Sequence, residues 1–279
     1  MTTVSQEFAV GSGASLNVKI QSGRVDVTEG RAGFISLEVD TRDPDMVEIH
    51  QSGDTVFVSD NRSGWVVRGN IRITAAVPPG SDLEVGSASA DVLADVELRN
   101  FICRTASGDV SFRTVDTLEV KTASGSIRGD RVDSDMRVNS ASGDVYVERV
   151  GGRLTAALAS GDVRADEVGG DLRANSASGD VRVEKFRGDE VTIKSVSGDL
   201  VIGFPEGITL DAEVNTLSGS VRLPPPAPPA VPVPPSDGSG LEPLEPLPPV
   251  EPLRSTGRRR VRLSAKTVSG DIRISKFSD

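Results

Sequence analysis

The sequence predicts an all-β chain wound as a single-stranded parallel β-solenoid, a β-helix-like rod of roughly 18-residue coils. Three observations predict it. One phrase returns along the 279 residues: SASAD at 87–91, ASGD at 106–109, SASGD at 140–144, ASGD at 159–162, SASGD at 176–180, and VSGD at 196–199 and 268–271. The Gly of each phrase falls at 108, 125, 143, 161, 179, 198 and 219, with Ala90 in the same place one coil earlier. The intervals are 18, 17, 18, 18, 18, 19 and 21 residues, too short for a helical hairpin repeat. Finally, 29 glycines beside one Trp, one Tyr and eight Phe suit a thin core of Val, Ile, Leu and Ala shared by stacked layers.

Residues 1–279 read as one solenoid domain, and residues 1–80 as irregular N-terminal coils and a cap. Strand-like alternation marks Phe8–Val10, Leu16–Ile20, Val25–Val27, Phe34–Val39, Val47–His50, Val56–Val58 and Trp65–Ala76. Turn residues separate them, as at Ser22-Gly23, Asp43-Pro44, Ser52-Gly53-Asp54 and Ser63-Gly64. Trp65 and His50 sit here, as a bulkier closing layer requires. Val77-Pro78-Pro79-Gly80 punctuates the chain, because proline cannot donate to a ladder.

The regular repeats occupy 81–223. Two residues after each Gly the side chain is aliphatic (Val92, Val110, Ile127, Val145, Val163, Val181, Leu200, Val221, Ile272). Two further on it is again mostly apolar, broken once by Gly129. Between them stands an outward residue, often Arg (Arg128, Arg164, Arg182, Arg222, Arg273). That is strand alternation with one face buried. Val115, Val132, Val150, Val168, Phe186 and Phe277 plug a corner. A second strand turns pairs inward, from Leu83/Val85 and Phe101/Cys103 to Ala212/Val214 and Leu263/Ala265. Nine coils at about 4.8 Å give a rod of roughly 40 Å. The recurring Gly permits a positive φ at one corner, and right-handed winding is favoured by the crossover rule.

Residues 224–257 form a proline-rich insert, extended and unable to pack a core. The insert is expected to leave the rod's side within one coil, since 51 residues separate Gly219 from Gly270. The final coil then occupies 258–279, resuming after Arg258-Arg259-Arg260. With no sequence left for a cap, its unpaired edge is expected to template end-to-end self-association.

A formal charge of −10 argues against nucleic acid or anionic membrane surfaces as partners. Cys103 is the single cysteine, so no intramolecular disulfide forms. No basic n-region with an apolar h-region opens the chain, and no run of roughly 18 apolar residues marks a membrane span. The expected location is cytoplasmic.

The SGDV/SGDI phrases, the VPPG before them and the coil length resemble the bacterial putative-adhesin family, a β-solenoid domain of unknown function. The resemblance covers 5–223 and 257–277 and implies a fold. It carries over no site residue.

The sharpest candidate for chemistry is the aspartate column Asp91, Asp109, Asp144, Asp162, Asp180, Asp199 and Asp271, which at coil spacing could hold Ca²⁺. The preferred reading is turn chemistry, each Asp bonding its own backbone. Ser126 and Ser220 interrupt the column, and the neighbouring Arg residues supply neutralising charge. Polysaccharide-active β-helices need acids clustered where the repeat breaks, whereas here the acids are evenly spread. His50 is alone, and Cys103 reads as a core residue. Arg-Gly-Asp at 128–130 and 187–189 reads as turn sequence, and the PxxP spacing Pro243–Pro246 suits a partner's aromatic groove. No catalytic, cofactor or metal residue is assigned. The expected function is a non-enzymatic structural or protein-interaction scaffold, meeting a partner through the proline-rich insert or a solenoid face. Alternatives are an adhesin-like or glycan-binding module and, behind it, a polysaccharide-active enzyme.

Overall fold

Alternating side chains and glycine-marked corners turn the chain into two columns of stacked strands. The computed structural model describes residues 2–60, 71–224 and 259–278. The N-terminal end is built from β1 (Thr2–Ala9), β2 (Ser15–Glu29), β3 (Phe34–Thr41), a 3-10 turn at Pro44–Met46, β4 (Val47–Ser52), β5 (Thr55–Asp60) and β6 (Ile71–Val77). The array starts with β7 (Ser81–Ser107), β8 (Val110–Ser124), β9 (Ile127–Val132), β10 (Met136–Ser142), β11 (Val145–Val150), β12 (Leu154–Ser160) and β13 (Val163–Val168). It continues through β14 (Leu172–Ser178), β15 (Val181–Phe186), β16 (Glu190–Ser197), β17 (Leu200–Pro205), β18 (Thr209–Ser218), β19 (Val221–Arg222), β20 (Arg260–Ser269) and β21 (Ile272–Phe277).

One column stacks β8, β10, β12, β14 and β16 in parallel, with Met136 opposite Leu118 and Leu154. The other stacks β9, β11, β13, β15 and β17, with Val145 opposite Ile127 and Val163. Equivalent residues therefore lie directly above one another, and the inward pairs merge into one continuous core. The corner residues Val115, Val132, Val150, Val168 and Phe186 are buried as the sequence requires. Phe186 meets Phe204 edge-on at 5.6 Å, which fills the wider corner there.

Glycine at the phrase answers two demands at once. Gly161 has φ +127, and a Cβ there would stand 2.3 Å from the carbonyl oxygen of Gly143 in the layer below. The corner is thus both left-handed and too close for any side chain. Ala90 escapes because β7 runs straight through it, and no residue other than glycine has positive φ among the described residues. The lapse at Gly129 is a packing exchange: the Phe112 ring fills the space, within 2.0 Å of where a Cβ would be.

Two expectations are corrected. Arg128-Gly129-Asp130 lies inside β9 and not in a turn, with Gly129 replacing an inward side chain. More consequentially, 260–277 is not the end of the rod. β20 pairs with β16 on one edge and β18 on the other, while β21 lies between β17 and β19. The chain lays down the outermost coil, 209–222, and returns to fill the layer beneath it. Because every coil shares one register, sequence distance does not decide which two coils stack. The insert therefore joins two complete coils and does not interrupt one. Residues 225–258 of that region, Trp65 and the Ser63-Gly64 turn lie outside the described residues.

The N-terminal end repeats the manoeuvre. β2 pairs on one edge with β7 and on the other with β5 and β6, so the earlier coil is again one layer in. Antiparallel strands then close this end: β4 on β5, β3 on β6 and β1 on β3. The described part of residues 1–80 thus combines a stacked coil, β2, with an antiparallel cap.

Candidate functional site

The aspartate column is a ladder between layers. Asp91 accepts from the Asp109 N–H at 3.0 Å, and Asp109 from the Ser126 N–H at 2.8 Å. A second run starts at Asp144, which accepts from the Asp162 N–H at 3.0 Å; Asp162 and Asp180 then accept from the N–H of Asp180 and Asp199 at 2.8 and 2.7 Å. Asp199 accepts from the Asp271 N–H and Asp271 from the Ser220 N–H, each at 2.8 Å. Each carboxylate thus serves the next coil's backbone, not its own turn as expected. The interruptions also acquire reasons. Ser220 stands on the outermost coil, where no further layer among the described residues needs an acceptor, and Ser126 is a gap between the two runs.

The backbone N–H of Ser220, followed by its hydroxyl, holds the Asp271 carboxyl below its ordinary pKa, with Arg222 and Arg273 adding to the effect. Arg164 of the same column looks elsewhere and reaches Glu184 at 3.0 Å, two strands on. Among the described residues, no group of three or more His, Cys, Asp or Glu is placed to hold a metal ion.

The densest charge lies along the other corner, in a shallow groove lined by Asp130, Glu148, Asp166 and Glu184 beside Arg113 and Arg149. Three of its acids, Asp166, Glu167 and Glu184, are tied to neighbours, though Asp166 Oδ1 is buried without a hydrogen bond. Glu167 takes Arg149 at 3.0 Å and Arg187 at 2.9 Å, and Tyr146 donates to Asp166 at 3.0 Å. Away from this groove, three carboxyls, Asp82, Glu119 and Asp271, are held below their ordinary pKa. Asp82 is lowered first by Arg99, which grips it with two bonds at 2.9 and 2.6 Å.

The remaining candidates are not brought together. Cys103 is fully buried in β7, and burial pushes its thiol up to about 12, far from the thiolate a nucleophile needs. His50 lies on β4 with its ring stacked on Phe57 at 4.9 Å. Arg259 pairs with Asp189 of the second Arg-Gly-Asp at 2.8 Å, an exposed link to the rod.

Two features escaped the sequence. Behind the phrase runs a column of inward hydroxyls. Thr105, Ser195 and Thr267 each donate to the carbonyl two residues on at 3.1 Å. The hydroxyls of Thr122, Ser140 and Ser176 find no partner, and Ser140 and Ser176 flank Leu158, which replaces a hydroxyl in the column. On the outside, the residue two before each Gly is exposed, an alanine from Ala106 to Ala177 and then Val196, Val268 and Leu217. The side chains on this ridge enlarge toward the 209–222 end.

The sequence matches no curated protein. Among solved structures, a putative lipid binding protein from Parabacteroides distasonis is 14% identical, covering 72% of this chain and 89% of that one at a TM-score of 0.51. A putative adhesin from Parabacteroides merdae is 11% identical over 73% of this chain and 89% of that one, TM-score 0.46. Another, from Bacteroides fragilis, is 13% identical over 98% and 97%, TM-score 0.44. Identities this low speak of fold alone. The family model Toastrack DUF4097 matches residues 12–227 and again 170–275. The two matches overlap, as interchangeable coils allow, and together they span nearly the whole chain. The chain belongs to the Toastrack family, DUF4097.

Proposed function

We propose that this chain is a non-enzymatic interaction module, a rod that offers a partner protein a repeating surface. The observation that carries the reading is where the repeated polar groups go. The aspartates bind the next coil's N–H groups, and Asp166, Glu167 and Glu184 of the corner groove bond Tyr146 and arginines. Chemistry needs a group set apart from the repeat, and these groups are committed to holding coils together.

The resemblance of the repeats to the putative-adhesin family gives this reading an adhesin-like form, in which the partner lies outside the cell; a scaffold with a cytoplasmic partner is its other form. Protease shaving of intact cells separates the two, since only an exported chain is cut.

The purified chain is expected to turn over no polysaccharide, acyl ester or phosphate ester above a heat-denatured control. Turnover abolished by Asp166→Asn or Glu184→Gln would overturn the reading. In the binding arm, a partner captured on the immobilised chain is purified and titrated by calorimetry against the full chain and a chain lacking 224–253. A saturable one-to-one isotherm supports the module, and the pair of titrations locates the contact on rod or insert.

A further inference from the structure

The two ends of the rod are finished differently. Antiparallel strands β1, β3 and β4 close one end, whereas among the described residues the coil 209–222 leaves the other uncovered. Its inward positions correspond to buried ones in the adjoining layer, Ala212 to Leu263, Val214 to Ala265 and Val221 to Ile272. Ile272 is 1% exposed, but Val221 is 40%. Of the exposed large apolar side chains among the described residues, Leu217, Val221 and Leu223 sit on this one coil, and Val196 and Val268 on the two layers next to it. A patch of this kind marks a contact surface. β18 is a ten-residue strand, Thr209–Ser218, paired only with β20 among the described residues. It carries none of the Lys, Arg or Pro that guard an edge.

The geometry points to a second copy of this chain as the occupant, docked tail to tail about a two-fold axis. Ser220 speaks against a parallel continuation. The layers beneath carry Asp199 and Asp271, whose carboxylates receive the next parallel coil's N–H, whereas the outermost coil has only a hydroxyl in that place. The ladder that joins parallel coils stops here, and an antiparallel neighbour does not use it. β18 suits pairing with itself. With Val214 opposite its own copy, Ala212 faces Thr216, Glu213 faces Asn215 and Asp211 faces Leu217. No two carboxylates then stand directly opposite, and the Asn215 amide can donate to Glu213 across the seam. The area is sufficient. A strand of this length spans about 33 Å and two sheet layers about 20 Å, so two such faces bury on the order of 1,200 Å², the lower bound of a stable interface. The closed N-terminal end offers no second face, so association ends at two copies and builds no fibre. This inference concerns the chain's own assembly and stands apart from the proposed partner.

Light scattering of the full chain over a range of concentrations tests it, beside a variant carrying Leu217→Lys and Val221→Lys. Leu217 is 85% exposed, so its replacement leaves the core alone. The wild type is expected to pass from monomer to dimer mass and to stop there. The variant sets lysines of both copies on one face, and its dimer dissociation constant should rise at least about a hundredfold. Hydrogen exchange gives a second reading. Amides of Thr209–Ser218 should exchange at least about tenfold more slowly as the wild type dimerises, while Leu154–Val168 should match in both chains and certify the fold. A wild type that stays monomeric at every concentration overturns the inference. So does a mass that climbs past the dimer, and so does a dimer that the variant leaves intact, because the contact then lies elsewhere.

Discussion

The backbone N–H of Ser220 donates to the Asp271 carboxylate at 2.8 Å, although Asp271 lies 51 residues further along the chain. Asp271 in turn donates its own N–H to Asp199. Space therefore orders these residues 199, 271, 220, and this one hydrogen-bonded path records the return of the chain beneath its outermost coil.

The ladder can be weakened and repaired. Asp180→Ala removes the acceptor for the Asp199 N–H and is expected to cost about 1 kcal/mol, the low end for a charged hydrogen bond at an exposed site. Ser126→Asp should add the link missing between the two runs, toward the N–H of Asp144, and gain up to about 1 kcal/mol. Denaturant unfolding of both variants checks the opposite signs.

Gly161→Ala meets two obstacles, the φ of +127 and the Gly143 carbonyl 2.3 Å from the new Cβ. Strain of this kind costs about 1–3 kcal/mol before the clash is counted. The melting temperature should fall by several degrees, whereas Gly53→Ala, with positive φ but nothing within 4 Å, should fall less.

The inward hydroxyls separate by partner. Ser176→Ala deletes a buried hydroxyl that has no bond and is expected to be neutral or stabilising by up to about 1 kcal/mol. Ser195→Ala deletes one bonded to the Ser197 carbonyl at 3.1 Å and should destabilise by about 1 kcal/mol. Thermal melts of the two single variants decide it.

Acid should loosen the rod from particular places. Asp82 and Asp271 have folded pKa values below their ordinary ones, through Arg99 and through Ser220 respectively. A depressed carboxyl contributes stability above its unfolded pKa and loses it as pH falls through the folded value. Stability measured by urea unfolding should hold from neutral pH to about 5 and fall steadily below about 4. Asp82→Asn should flatten part of that fall.

Chains ending at Leu223 offer a test of interchangeability. Without β20 and β21, the pair β18–β19 is expected to descend one layer and dock on β16–β17 in the common register, Ala212 above Val191 and Val214 above Ile193. Exchange protection within 209–218 should survive the truncation, with a melting temperature only a few degrees lower. Loss of protection there would show that β20 is needed to seat β18.

How much of this is visible in the residues depends on what repetition encodes. The strands, the inward pairs and the glycine corner are local consequences of alternation and spacing, so Val145, Val147 and Gly161 could be placed from the sequence. The order of the last two coils could not, because a shared register makes 209–222 and 260–277 equally good neighbours for β16. Ser220 was the one available signal, a ladder residue lacking the carboxylate that a following coil would use. The partner of the aspartates was missed for a related reason: its donor is a backbone N–H in another layer, and backbone groups leave no mark in a sequence. Leu158 stood in plain view, but its meaning rests on the unsatisfied hydroxyls of Ser140 and Ser176 on either side.

The buried place of β20 and β21 also sets a clock. A ribosome delivers residues 209–222 before 260–277, so the outermost layer exists as chain before the shelf it finally rests on. Completion of this end must wait until Phe277 has been synthesised. Until then the coil 209–222 either stays undocked or takes a provisional seat on β16 and β17 that it must later surrender. Assembly at this tip is an act of replacement, whereas along the middle of the rod it is simple accretion.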